Sequence, residues 1–154
     1  MRLYRPRYRV LPLWLNEVDA LFELYRRVGA DQGKPEGVSV AEIQAWLEGG
    51  FELYQVQHQG RLVGAMRLTF PVGVCWLDHL AVDPDHRRRG YGRSLVDHGL
   101  HRARRLGSSR IWVGIRAETG AGELAFYERL GFIQSGYHRL PTESESLLLL
   151  EASL

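Results

Sequence analysis

Between Leu80 and Leu95 the chain reads LAVDPDHRRRGYGRSL: a strand-like run, a proline turn, and a basic glycine loop that opens a helical segment. Those residue types suit an anion. Gly90 and Gly92 permit backbone angles closed to residues with a Cβ and let the main chain approach a ligand closely. A helix beginning at Tyr91 leaves its first N–H groups without intrahelical partners and sets the positive end of its dipole at the same place. Arg87, Arg88, Arg89 and Arg93 add charge, and a planar guanidinium matches phosphate oxygens in pairs. The pattern predicts a pyrophosphate cradle. It is neither a G-x-x-x-x-G-K-[ST] loop nor a dinucleotide fingerprint, since residue 95 is Leu where the third glycine would fall. Taken alone, a glycine pair beside three arginines also fits a solvated turn.

Other reactive side chains are fewer. Asp78 and His79 precede the loop on its strand, and regular alternation sends them to opposite faces, either one toward a cleft. Either is also an ordinary polar residue of a sheet. Cys75 lies mid-strand and reads as a small core hydrophobe rather than a nucleophile. The six histidines form no H-x-x-x-H pair, and no cluster of His, Cys and carboxylates has ligand spacing, so no metal is expected. Of 20 basic residues 19 are Arg, Lys34 being the exception. Outside the loop, including Arg2, Arg5, Arg7 and Arg9, that skew reads as compositional habit. A net charge of +2 against 18 acids is thin for a nucleic-acid surface.

These groups need a scaffold. An arginine-rich opening strand is expected at about Arg2 to Val10. Val18, Leu21, Phe22, Tyr25 and Val28 then form a helical face, with Asn16 as N-cap and Gly29 as stop. Ser39-x-x-Glu42 is a capping box for a second helix, which buries Val40, Ile43, Trp46 and Leu47 and ends at Gly49-Gly50. Phe51–His58 and Arg61–Phe70 flank a Gln59-Gly60 turn, and Val74–Val82 continues as a third antiparallel strand. A helix Tyr91–Arg105, a strand Arg110–Ile115 and a helix Ala121–Leu130 closed by Gly131 follow. Phe132–Leu140 and Ser146–Ala152 make a terminal strand pair, in which Leu147 to Leu150 fit a strand buried on both faces. The order β-α-α-β-β-β-α-β-α-β-β implies an α+β fold: a mixed, mostly antiparallel central sheet with helices on both faces.

Length and composition fit that scaffold. One domain over residues 1–154 is expected, and 45% hydrophobic residues suffice for a core. A single cysteine makes no internal disulfide. No membrane-length apolar run and no signal-like stretch in MRLYRPRYR are seen, which leaves a cytoplasmic protein as the expectation.

Arg87-x-x-Gly90-x-Gly92, after the strand ending Leu80-Ala81-Val82-Asp83-Pro84, resembles the R/Q-x-x-G-x-G/A acyl-coenzyme A signature of the GNAT N-acetyltransferase superfamily. Leu124-Ala-Phe-Tyr-Glu-Arg-Leu-Gly-Phe132 is similar to its second hallmark, a tyrosine-bearing helix ending in an L-G-F turn. The two are separated by one helix and one strand, as in that family, and the element order is the family's order. Many members carry Asn and Ala where this chain has Gly120 and Glu123.

The resemblance implies the GNAT acyl-CoA N-acyltransferase fold and an acyltransferase that moves the acetyl group of acetyl-CoA to a primary amine of a small molecule or peptide, by direct attack in a ternary complex. It implies that Arg87, Arg88, Arg89, Gly90, Tyr91, Gly92 and Arg93 bind the phosphates. By the same resemblance, Leu80, Ala81 and Val82 meet the pantetheine arm through their main chain, with the Leu80 N–H as oxyanion donor. Tyr127 is implied as the acid that protonates the leaving sulfur. For the base, Asp78, His79 and a water chain stay open, with Asp78 favoured by its even spacing from Leu80. The segment Gly29–Ser39, with Asp31 and Glu36, would border the amine side. Trp14 and Trp46 fit a core equally well. A non-catalytic acyl-CoA sensing module is the alternative. No nucleic acid or membrane partner is expected, and a homodimer is left open.

Overall fold

The computed structural model describes residues 7–31, 37–116, 121–139 and 146–154. The chain forms β1 (Val10–Pro12), a 3-10 turn (Leu15–Glu17), α1 (Val18–Asp31), α2 (Val40–Glu48), β2 (Glu52–His58), β3 (Arg61–Thr69) and β4 (Val74–Val82). A second 3-10 turn (Pro84–His86), α3 (Tyr91–Arg105), β5 (Arg110–Arg116), α4 (Ala121–Arg129), β6 (Ile133–Arg139) and β7 (Ser146–Ser153) complete it. The seven strands are hydrogen-bonded in the order β1-β2-β3-β4-β5-β7-β6. One pair, β4 with β5, is parallel, and β1 with β2, β2 with β3, β5 with β7 and β6 with β7 are antiparallel. The expected mixed, mostly antiparallel sheet is thus observed. Two compact units divide the chain: Met1–Thr69 with His79–His101, and Phe70–Asp78 with Arg102–Leu154.

In the first unit, α1 and α2 bury Leu21, Leu24, Tyr25 and Ile43 in one cluster with Leu53, Ala65 and Ala81 of the strands. Trp46, Leu47 and Val40 pack against that cluster while remaining half-buried. Ser39 Oγ accepts the Glu42 N–H at 3.1 Å and so caps α2 as its sequence spacing indicates. Gly64 is a packing position, because a Cβ there would lie 2.8 Å from Val56 Cγ2 and 3.3 Å from Leu95 Cδ1. A side chain in β3 would hold α3 off the sheet.

Three boundaries differ from expectation by more than one residue. The opening strand is Val10–Pro12 rather than Arg2–Val10; residues 1–6 lie outside the described part, and Arg7 and Tyr8 form a bend instead of extending β1. Asn16 sits inside the 3-10 turn and caps nothing, because the Trp14 N–H already donates to Glu17 Oε1 at 3.1 Å and starts that turn two residues earlier. Gly29 does not stop α1, which runs on to Asp31. An interior glycine costs a helix only about 1 kcal/mol, and the buried face of α1 outweighs it.

The second unit builds on β5, which buries Ile111, Val113 and Ile115 on alternate positions, and on β7 between β5 and β6. Trp112 Nε1 and Arg110 Nη1 both donate to Glu151 Oε2, at 3.0 and 3.1 Å. Of the leucine run only Leu150 is fully buried, against the expectation of burial on both faces. Leu149 is paired with Gly114 on one side and Gly136 on the other, so neither neighbour supplies a side chain to cover it. β6 is the outer strand, with Ile133 and Tyr137 exposed.

Candidate active site

The glycine loop lies in the first unit, and its entry is anchored before the arginines begin. The Asp83 N–H donates to the Val63 carbonyl at 2.7 Å. The Asp83 side chain is buried, accepts the Asp85 N–H at 2.9 Å and pairs with Arg27 Nη1 at 2.7 Å. The turn after β4 is therefore fixed by a capping carboxylate whose charge is matched. Arg88 follows with φ of 60° and Gly90 with φ of 93°. α3 then starts, and its first backbone bond runs from the Ser94 N–H to the Gly90 carbonyl at 3.1 Å. The amides of Tyr91, Gly92 and Arg93 precede that bond, which is the placement an anion cradle needs. Tyr91 is buried, its hydroxyl 2.9 Å from His58 Nδ1. Arg88, Arg89 and Arg93 are exposed, and the Arg93–Asp97 contact is long at 3.9 Å. Arg87, exposed as well, has partners within the protein: Nη1 pairs with Asp31 at 2.8 Å and Nε donates to the Val82 carbonyl at 3.4 Å. Asp31, expected from sequence to border the amine side, is thus partnered by the loop. Its companion Glu36, like Gly120, lies outside the described residues.

β4 changes character partway along. Its ladder to β5 runs from Val74↔Arg110 to Leu77↔Val113 and ends there. Two residues later His79 adopts φ of 49°, a left-handed conformation inside a strand. The Tyr25 hydroxyl donates to the His79 carbonyl at 2.7 Å, and the His79 ring lies 4.6 Å from that of Trp46. Simple alternation of Asp78 and His79 therefore fails, because a left-handed residue interrupts the pleat. Asp78, Leu80 and Val82 are half-buried, His79 is exposed and Ala81 is buried. Trp46 carries on its ring not only His79 but the Arg67 guanidinium at 4.5 Å, with Phe51 on Arg67 at 4.3 Å. Trp14 is 65% exposed, so it is no core residue.

In the second unit, α4 ends in a pair of bonds characteristic of a glycine C-cap. The Phe132 N–H reaches the Tyr127 carbonyl at 3.1 Å and the Gly131 N–H reaches the Glu128 carbonyl at 3.0 Å, with Gly131 at φ of 95°. The rings of Tyr127 and Phe132 meet at 5.2 Å. The L-G-F turn thus fixes the backbone and ring of Tyr127 together. Burial, then the charges of Glu123 and Asp78, push the Tyr127 phenol well above its usual range. Asp78 and Tyr127, two of the residues singled out for chemistry, are therefore electrostatically linked. Cys75 is buried and forms no disulfide, and no group of metal-ligating side chains occurs among the described residues. No helix of the described residues is long and apolar enough to cross a membrane.

Sequence reading missed Tyr8, Arg7 and Tyr25. Tyr8 donates its hydroxyl to the Arg89 carbonyl at 2.8 Å and its N–H to Ser94 Oγ at 3.2 Å. A Cβ on Gly90 would lie 3.5 Å from Arg7 Cδ. The aromatic and basic letters of RPRYR were visible, but their separation of about 80 residues from the loop gave no signal of contact.

Residues 18–132 match the acetyltransferase (GNAT) family. The [ribosomal protein bS18]-alanine N-acetyltransferase of Escherichia coli strain K12 is 30% identical over 86 residues, which cover 56% of this chain and 57% of that protein. The chain thus spans little more than half the length of that curated relative. An amino-acid acetyltransferase of Pseudomonas putida is 27% identical over 136 residues, 86% of this chain and 29% of that protein. In fold, the crystal structure of the ribosomal-protein-S18-alanine N-acetyltransferase from Escherichia coli superposes with a TM-score of 0.81 at 21% identity, over 94% of this chain and 92% of that one. With its glycine loop, its interrupted fourth strand and a family match across most of its length, the chain belongs to the GNAT acetyltransferase family.

Proposed function

We propose that this protein transfers the acetyl group of acetyl-CoA to a primary amine, the α-amine of a peptide or protein first among candidates. The observation that carries this reading is the loop Arg87–Arg93 leading into the α3 amides within a chain that matches the family. Gly90, Gly92 and the Tyr91 and Arg93 amides would take the pyrophosphate, with Arg88, Arg89 and Arg93 as exposed cations and Arg87 bracing the loop against Asp31. The main chain of Leu80, Ala81 and Val82 would meet the pantetheine arm, and the Leu80 N–H would face the developing oxyanion, a contribution of roughly 3 kcal/mol.

The proton inventory closes with the chain's own groups. At pH 7 an α-amine of pKa near 8 costs only about 1 kcal/mol to neutralise, against roughly 4 to 5 for a lysine-like amine. Asp78, His79 or water takes that proton. The neutral nitrogen attacks the thioester carbon, the C–S bond breaks, and the sulfur takes the Tyr127 phenolic proton. The nitrogen, made acidic by the new C–N bond, returns a proton to the phenolate. A phenol held protonated by burial suits this part, since it carries its proton wherever the amine is neutral. The α-amine preference draws on the similarity to the Escherichia coli alanine N-acetyltransferase.

Thiol release from acetyl-CoA over a panel of polyamines, aminoglycosides, amino acids and peptides with alanine N termini tests the reading. Release with the peptides is expected. Tight acetyl-CoA binding in a calorimeter with no release on any amine would assign a sensing module instead.

A further inference from the structure

The geometry points to the N-terminal pair Arg7-Tyr8 as part of the donor's phosphate site, with Tyr8 positioning the loop and Arg7 lending it charge. The inference rests on the donor reading above. Tyr8 meets the loop on three sides: its hydroxyl donates to the Arg89 carbonyl at 2.8 Å, its N–H donates to Ser94 Oγ at 3.2 Å, and its ring stacks on that of Tyr91 at 4.1 Å. Those contacts bracket Gly90, whose missing Cβ would sit 3.6 Å from Tyr8 Cε2. The segment they hold is the one with unusual backbone, Arg88 at φ of 60° and Gly90 at 93°. A left-handed non-glycine residue is costly and persists only when its surroundings fix it. Tyr8 supplies part of that fixing from outside the loop, and Tyr91 transmits it to the first turn of α3, being itself buried and held by His58 at 2.9 Å.

Arg7 lies on the same spot. Its Nη1 would be 3.6 Å from a Gly90 Cβ, and its guanidinium carbon is 5.4 Å from the Tyr8 ring centre. A cation placed there acts on any anion seated over Gly90, where Arg87 is already engaged by Asp31. Arg7 is thus more than compositional habit.

The test compares two donors, acetyl-CoA and acetyl-pantetheine, which has the same thioester and no phosphates. For Tyr8→Phe, which keeps the stack and loses the hydroxyl, KM for acetyl-CoA is expected to rise about threefold, and for Tyr8→Ala about tenfold or more, with kcat at saturating donor within about twofold. Arg7→Glu should raise it about tenfold in a salt-dependent way, whereas Arg104→Glu, at the exposed far end of α3, should not. Rates with acetyl-pantetheine should stay at the wild-type value in all of them, which a general loss of structure would not allow. Unchanged KM for acetyl-CoA in Tyr8→Ala and Arg7→Glu, or equal losses on both donors in Tyr8→Phe, would overturn the inference. If the wild-type protein itself used both donors equally well, the loop would not be a phosphate site, and the donor reading would fall first and this inference with it.

Discussion

The Tyr25 hydroxyl donates to the His79 carbonyl at 2.7 Å, at the residue where β4 turns left-handed two positions after its ladder to β5 ends. A helix side chain thus accepts the backbone direction that a regular ladder would have refused. His79 lies next to Leu80, so the orientation of the Leu80 amide is coupled to a tyrosine on α1.

Two substitutions separate the parts of that device. A left-handed backbone costs a residue with a Cβ roughly 1–2 kcal/mol relative to glycine, so His79→Gly should be more stable in urea than His79→Ala by about 1 kcal/mol. Tyr25→Phe should lose about 1 kcal/mol through the released carbonyl. Equal stability of the two His79 variants would mean that φ at this residue carries no strain.

Asp83 is the buried charge of the loop's anchor, 2% exposed and paired with Arg27 at 2.7 Å. Asp83→Ala removes a turn cap and the buried partner of Arg27, which keeps only the exposed Asp85 at 3.2 Å, at a cost of about 2 kcal/mol. Asp85→Ala, exposed at the same turn, should cost no more than about 0.5 kcal/mol. Chemical denaturation of both variants at one pH measures the contrast.

Tyr127→Phe should lower kcat roughly 100-fold at saturating donor on whichever amine of the panel the wild-type protein acetylates. Its effect on stability runs with pH in a defined direction. The folded-state phenol is raised, so the folded chain keeps a proton that the unfolded chain loses above about pH 10. Stability from this group is complete below that pH and is lost above it, by about 1.4 kcal/mol per pH unit. Tyr127→Phe should flatten the alkaline limb of urea midpoints plotted against pH by that slope, and an unchanged limb would contradict the burial.

Gly90→Ala forces a Cβ onto φ of 93° beside Arg7 and Tyr8. Loop rearrangement at roughly 1–2 kcal/mol should raise KM for acetyl-CoA about tenfold while leaving KM for the amine alone. Arg93→Glu, reversing an exposed cation at the first turn of α3, should act the same way with a steep salt dependence. Donor and acceptor saturation curves at two salt concentrations resolve both.

Asp31 binds Arg87, and that pair marks where sequence reading stops. Local rules were enough for β4, α3, the Ser39 cap and the glycine stop of α4, because each depends on residues a few positions apart. They were also enough to find the glycine loop at Arg87–Arg93 and the tyrosine of the L-G-F helix, since spacing along one turn fixes both. They did not say which arginines are free. Arg87 spends its charge on an aspartate 56 residues away, and Arg7, dismissed as composition, lies against Gly90. Nor could alternation foresee His79, whose left-handed backbone is held by Tyr25 from α1. By itself the sequence determined the periodic elements, their order and the glycines that must turn. Only tertiary structure decided which charges are cancelled and where the fourth strand departs from its pleat, because ion pairs and held strain depend on groups that the chain brings together only by folding.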